Sequence, residues 1–155
     1  MEEDVMSSLN PEDVDAIPLS VLAYVGDAVY ELYVRESLLK SRRCGEHWDI
    51  DLDELHKEAV LRVCATAQAQ ALADLESFLA PEEADVARRA RNIRVGRGPR
   101  SMPVLDYRHS TGFEAVIGYL YLLGRDIRLE ELMSEALSLI EARLAKSDHN
   151  HKDKQ

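Results

Sequence analysis

The feature that most restricts how this chain can fold is the apolar stretch at residues 22–35, LAYVGDAVYELYVR. Its apolar residues recur at three- and four-residue steps, which is the spacing of one face of an α-helix. The predicted face consists of Leu22, Val25, Val29, Leu32 and Tyr33. Glycine inside a helix costs about 1 kcal/mol relative to alanine, so Gly26 predicts close approach of another backbone. Asp27 follows it, off the predicted apolar face.

A second apolar helix is predicted at residues 110–123, STGFEAVIGYLYLL, where Glu114 is the single acid and Gly118 again indicates close packing. The two most apolar helices of a chain are expected to pack together in its core. Buried carboxylates are costly unless they are paired, hydrogen-bonded or bound to a cation. Asp27 and Glu114 are therefore candidate ligands of Mg²⁺, or of Mn²⁺, which could activate water and stabilise a phosphodiester transition state.

Other interpretations of the two acids are equally compatible with their spacing. Thr111 and Glu114 have the T-x-x-E pattern of a capping box, in which Glu114 would only accept a hydrogen bond from a backbone N–H. Asp27 could face solvent or cap a neighbouring helix. The spacing alone does not separate these roles from metal binding.

The predicted fold class is all-α, a helical bundle of five or six helices in one domain over residues 1–146, followed by a disordered tail at 147–155. Residues 41–50 are predicted to form a loop in which Trp48 packs onto the core. The predicted helices start at caps and prolines and cover a short segment after Asn10, a long helix from Pro18 to about residue 40, residues 51–79, a segment from Pro81 to about residue 91, residues 110–123 and residues 127–145.

The charge pattern is unusual for an acidic protein. A net charge of −10 argues against a nucleic-acid partner, yet residues 88–108 hold seven arginines and one acid. A solvated helix end followed by a basic loop would also explain this pattern. The chain has no apolar run long enough to cross a membrane and no signal-peptide pattern, and its two cysteines lack paired spacing. We therefore expect a cytoplasmic protein without a disulfide framework.

The two stretches that contain Asp27 and Glu114 resemble the acidic motifs of the ribonuclease III family, which have the forms E-x-x-G-D and D-x-x-E-A-x-x-G. Residues 23–28 read AYVGDA and residues 111–118 read TGFEAVIG. The order, separation and helical context agree. Ala23 and Thr111 stand where the family has acids, which leaves two of its four carboxylates. Leu55-His56-Lys57 and Arg91-Asn92 add similarity to the compact bacterial branch of the family, which has the catalytic domain and no double-stranded-RNA-binding domain.

The resemblance implies that Asp27 and Glu114 are the catalytic pair and the Mg²⁺ ligands. The implied reaction is hydrolysis of double-stranded RNA to 5′-phosphate and 3′-hydroxyl ends, by a homodimer whose contact includes Gly26. This branch of the family matures large-subunit (23S) ribosomal RNA by trimming a double-stranded stem, and a ribosomal protein is a further potential partner. The candidate RNA-binding residues are Arg94, Arg97, Arg100 and Lys57.

The missing acids at 23 and 111 support an alternative, a non-catalytic module that binds RNA or the ribosome. A helical interaction protein without any RNA role is a third interpretation of the same sequence.

Overall fold

The order of elements follows the predicted succession of helices. The computed structural model describes residues 8–93 and 104–152. In these ranges the chain forms α1 (Pro11–Asp15), α2 (Leu19–Ser41), β1 (Arg43–Cys44), β2 (His47–Trp48), α3 (Leu52–Val63), α4 (Ala65–Asp74), α5 (Pro81–Arg91), α6 (Val104–Leu122) and α7 (Asp126–Lys152). The predicted all-α class is confirmed, although these residues form seven helices and not five or six.

Side-chain caps and prolines fix several helix starts where the sequence predicted them. The Asn10 side chain accepts a hydrogen bond of 2.9 Å from the Asp13 N–H and so caps α1. The Asp51 side chain accepts one of 3.0 Å from the Glu54 N–H and caps α3. Pro18 directly precedes α2.

The predicted helix over residues 51–79 is in fact two helices. Cys64 has an extended backbone, with φ −64° and ψ 153°, and it ends α3 and begins α4. The apolar and alanine spacing continues across this break, so periodicity gave no sign of it. The change of direction lets α4 pack against α6.

The predicted loop at 41–50 contains a short hairpin, and the prediction for Trp48 was wrong. Strands β1 and β2 pair antiparallel around Gly45, whose φ of 64° suits a residue without a side chain. Trp48 remains 49% exposed and contacts the Arg43 guanidinium, 5.8 Å from its ring centre, instead of the core. A hairpin of this size holds the ring at the surface.

The last two helices are longer than predicted. Helix α6 begins at Val104 and not at residue 110. Helix α7 continues to Lys152, whereas residues 147–155 were expected to form a disordered tail. The sequence has no glycine or proline after Gly124, and polar composition by itself does not end a helix.

Helices α2 and α6 are the central pair of the core. The face of α2 that is buried differs from the predicted one and consists of Leu22, Ala23, Gly26, Tyr30, Val34 and Leu38. Leu32 is 67% exposed. Because α2 is apolar on several sides, spacing did not select the correct face. The small residues Ala23 and Gly26 let α6 approach, and the Tyr30 and Phe113 rings pack edge to face with centres 4.9 Å apart.

A buried ion pair ties α7 to the start of α5. Arg128 donates two hydrogen bonds to the Glu83 carboxylate, of 2.8 and 2.9 Å, and one of 2.7 Å to the Phe78 carbonyl. Burial alone would raise the pKa of Glu83, but hydrogen bonds from Arg128 and from the Ala80 N–H hold it below its ordinary value.

In the described residues, no helix combines the length and the apolar character that crossing a membrane requires.

Candidate active site at the crossing of α2 and α6

Two glycines bring the backbones of α2 and α6 into direct contact. A Cβ atom added at Gly26 would lie 1.7 Å from the Glu114 carbonyl oxygen. A Cβ added at Gly118 would lie 1.9 Å from the Leu22 carbonyl oxygen. The predicted close approach at Gly26 therefore exists, but it is made with α6 of the same chain. Gly26 is buried inside the subunit, which corrects its predicted place in a dimer contact.

The same crossing brings the two predicted catalytic acids together. Asp27 follows the contact glycine of α2, and Glu114 carries the carbonyl against which that glycine packs. Asp27 is exposed, whereas Glu114 is partly buried. The two acids are close enough for the charge of Asp27 to raise the pKa of the Glu114 carboxyl group.

Electrostatics make this pair unfavourable when both acids are ionised. Burial first, and then the charge of Asp27, raise the pKa of Glu114 to about 8, while hydrogen bonding from Gln68 partly opposes the rise. Burial and the neighbouring Glu31 also raise the pKa of Asp27. A divalent cation between the two carboxylates would relieve both effects.

The donor set fits a hard cation that keeps much of its water. In the described part of the chain, no three histidine, cysteine or acidic side chains lie close enough to share a metal ion. Asp27 and Glu114 would thus contribute carboxylate oxygens, and water molecules would complete the coordination. Mg²⁺ is commonly held in this way, by one or two carboxylates with several retained waters.

The capping-box interpretation of Glu114 is excluded. Helix α6 begins at Val104, so Thr111 and Glu114 lie well inside it, beyond the first turn where a capping box forms. The Thr111 hydroxyl donates a hydrogen bond of 2.9 Å to the Tyr107 carbonyl of its own helix. Thr111 therefore serves the helix backbone and leaves Glu114 free to face Asp27.

Two further polar residues reach the site that sequence reasoning did not select. Glu31 lies one turn after Asp27 on α2, raises the pKa of both acids and is paired with Arg35 at 2.9 Å. Gln68 of α4 is 1% exposed and lowers the pKa of Glu114. The i to i+4 spacing could have indicated Glu31. Gln68 lies among alanines in the predicted apolar region and gave a weaker signal.

The predicted RNA-binding residues fall into two groups. Arg94, Arg97 and Arg100 lie outside the described residues. Lys57 is exposed on α3. The first arginines of the basic segment 88–108 lie in α5, where two of them form ion pairs with Asp85 on the preceding turn. These pairs are Arg88 with Asp85 at 2.7 Å and Arg89 with Asp85 at 2.8 Å.

Comparison with known proteins decides the family. The Ribonuclease III domain matches residues 20–125, which include Asp27, Glu114 and the α2–α6 crossing. The chain belongs to the ribonuclease III family. The predicted family and fold class are confirmed, and α7 lies beyond the matched region.

The relatives place this ribonuclease III family member in the predicted compact branch. It is 37% identical to the Mini-ribonuclease 3 of Clostridium tetani over 92% of this chain and 91% of the relative. It is 44% identical to the Mini-ribonuclease 3 of Symbiobacterium thermophilum over 81% of this chain and 92% of the relative. A crystal structure of a Fusobacterium nucleatum protein superposes with a TM-score of 0.69 at 27% identity, over 81% of this chain and 96% of that one.

Proposed function

We propose that this protein is a metal-dependent endoribonuclease that hydrolyses double-stranded RNA. The observation that carries the proposal is the approach of two carboxylates, Asp27 and Glu114, at the α2–α6 crossing of a ribonuclease III fold. Membership of the family and similarity to Mini-ribonuclease 3 proteins support the endoribonuclease class.

The two acids have different surroundings and therefore different tasks. Exposed Asp27 is the carboxylate that an incoming phosphodiester can reach, and partly buried Glu114 is held in position by its helix. When bound by this pair, Mg²⁺ or Mn²⁺ would supply positive charge for the transition state and lower the pKa of water. The proposed products carry 5′-phosphate and 3′-hydroxyl ends.

The proposed substrate is a double-stranded stem in precursor large-subunit (23S) ribosomal RNA, processed in the cytoplasm, with a ribosomal protein as a further potential partner. A-form RNA is recognised mainly through its shape, phosphates and 2′-hydroxyls. Arg94, Arg97 and Arg100 concentrate positive charge in an acidic chain, and Lys57 is exposed, so we assign phosphate binding to them. Replacing the three arginines with alanine is expected to lower the salt dependence of RNA binding by about 0.9 per lost phosphate contact.

We propose further that the protein is a homodimer, with α2 at its contact. On the side of α2 away from Gly26, an apolar stripe faces outward. Its members recur at three- and four-residue steps and are Val21, Tyr24, Ala28 and Leu32. Tyr24 is 80% exposed and Leu32 67% exposed. Contiguous exposed apolar residues of this kind are typical of protein interfaces.

The decisive experiment is cleavage of long double-stranded RNA with Mg²⁺ and with EDTA at low salt. The wild type is expected to give Mg²⁺-dependent fragments with 5′-phosphates. Asp27→Asn and Glu114→Gln are expected to lose cleavage while binding RNA normally. Glu36→Gln, which changes an exposed acid of the same helix α2, is the matched control and is expected to cleave normally.

The absence of acids at Ala23 and Thr111 favours one alternative, a non-catalytic RNA-binding module. Intact RNA that still shifts on a gel would support that alternative. Full activity in Asp27→Asn or Glu114→Gln would contradict the proposed site.

A further inference from the structure

Gln68 is an unusual residue for its position. It lies in α4 with 1% of its surface exposed, surrounded in sequence by buried alanines and Leu72. Its side-chain oxygen Oε1 is buried without a hydrogen-bond partner in the described part of the chain. An unsatisfied buried acceptor costs about 1–3 kcal/mol, whereas methionine would fill similar space with no polar atom to satisfy. Packing alone therefore does not account for a glutamine here.

One half of the Gln68 amide has a structural task. Nε2 donates a hydrogen bond of 3.0 Å to the carbonyl of Val63, the last residue of α3. Carbonyl groups at helix ends lack partners within the helix, so this bond stabilises the break between α3 and α4. Because a carbonyl can only accept, the NH₂ group must face Val63 and the oxygen must face elsewhere.

The same amide belongs to the α2–α6 site. Helix α4, which carries Gln68, packs against α6, which carries Glu114, and the Gln68 side chain lowers the pKa of the Glu114 carboxyl group. Ala23 and Thr111 supply no carboxylate to this site. A cation held there by two acids retains several waters, and those waters need acceptors for their hydrogens.

We propose that Gln68 is a positioning residue of the Asp27–Glu114 site, whose buried oxygen Oε1 accepts a hydrogen bond from the hydration shell of a bound divalent cation. The inference rests on the proposed function. In the family's usual motif, two further acids stand at the positions of Ala23 and Thr111. In this chain the neutral side chain of Gln68 would take over part of their support of the metal site.

The test is Mn²⁺ binding to the full chain without RNA, measured by isothermal titration calorimetry alongside thermal unfolding. Gln68→Met removes the oxygen and is expected to weaken Mn²⁺ binding about tenfold, the lower end of the effect of losing an outer-sphere partner. Gln68→Glu keeps an oxygen acceptor and is expected to bind Mn²⁺ at least as tightly as the wild type. Gln70→Met, at an exposed position of α4, is the matched control and should change neither affinity nor melting temperature.

A purely structural role predicts a different pattern. Both Gln68 variants lose the bond to Val63 and should melt at lower temperature, so a structural role changes them in the same direction. The proposal is overturned if Gln68→Met binds Mn²⁺ within twofold of the wild type. It is also overturned if Gln68→Glu binds tenfold more weakly, a criterion that still applies if Gln68→Met does not fold.

Failure of the proposed function gives a separate signature. If the wild type does not bind Mn²⁺, or if Asp27→Asn binds it equally well, the metal site itself is misplaced. If Asp27→Asn abolishes binding while Gln68→Met leaves it unchanged, only the role of Gln68 is refuted.

Discussion

Gly26→Ala is expected to destabilise the protein strongly, although alanine is the better helix former. The new Cβ would lie 1.7 Å from the Glu114 carbonyl oxygen, 2.7 Å from its carbonyl carbon and 2.8 Å from the Gly118 nitrogen. Ordinary van der Waals contact begins at 3.4 Å, twice the shortest of these distances. All three atoms are backbone, so no rotamer change removes the overlap and the helices themselves must move apart.

The magnitude follows from two opposing effects. Alanine gains about 1 kcal/mol over glycine in a helix. Overpacking in a core typically costs about 1–3 kcal/mol and can cost more where the neighbours are rigid, as two helix backbones are. Because the overlap is with two rigid backbones, we expect a net loss of about 2 kcal/mol or more, a substantial part of the roughly 5–15 kcal/mol that stabilises a native domain.

Urea unfolding followed by circular dichroism measures this change, with Gly45→Ala as control. Gly45 has no neighbour within 4 Å of an added Cβ and has a φ of 64°, so its substitution is expected to cost about 1 kcal/mol through backbone strain alone. A Gly26→Ala variant as stable as the wild type would refute the backbone contact. Mn²⁺ affinity should fall with stability, because the overlap also displaces Glu114 from Asp27.

Three further perturbations test other parts of the structure. The pKa of Glu114 is raised from its ordinary 4.5 to about 8, so the metal-free fold favours the protonated acid and the free energy of unfolding is expected to fall between about pH 4.5 and 8. In a series of thermal melts across this range, Glu114→Gln is expected to flatten the fall. If the melting temperature of Glu114→Gln varied with pH as that of the wild type does, the raised pKa of Glu114 would be contradicted. Arg128→Met leaves Glu83, which is 1% exposed, as an uncompensated buried charge, so urea unfolding should show a loss of about 3–5 kcal/mol; a loss below about 1 kcal/mol would mean that the pair is unimportant. The double variant Tyr24→Glu, Leu32→Glu should sediment as a monomer, because both side chains are exposed on the proposed dimer contact, and its subunit should melt at the same temperature as the wild type. If the variant still forms dimers, the contact lies elsewhere.

The sequence was sufficient to find the two acids and the helices that carry them. Asp27 and Glu114 are the acids of interest because each lies beside a close-packing glycine on a strongly apolar helix. This context is a property of the local sequence, so it can be recognised without knowing how the helices pack. The cap at Asn10 was predictable for the same reason, and the cap of α3 was predictable to within two residues, Asp51 or Asp53, of which the structure has Asp51.

Features that depend on tertiary contacts were not predictable. Helix α2 is apolar on more than one side, and only the position of α6 decides that Tyr30 is buried and Leu32 exposed. The break at Cys64 interrupts a regular pattern, and the Gln68 side chain donates a hydrogen bond to the Val63 carbonyl there. Glycine spacing likewise indicated a close neighbour of Gly26 but not whether that neighbour belonged to the same chain.

The backbone contact between α2 and α6 has a consequence for the dynamics of the site. In many enzymes the catalytic groups lie on segments that open locally, and such segments exchange their amide hydrogens long before the core does. Here both acids lie on the helix pair at the centre of the core, so their amides are expected to exchange only through global unfolding. Heat inactivation should then coincide with loss of the whole fold and not precede it.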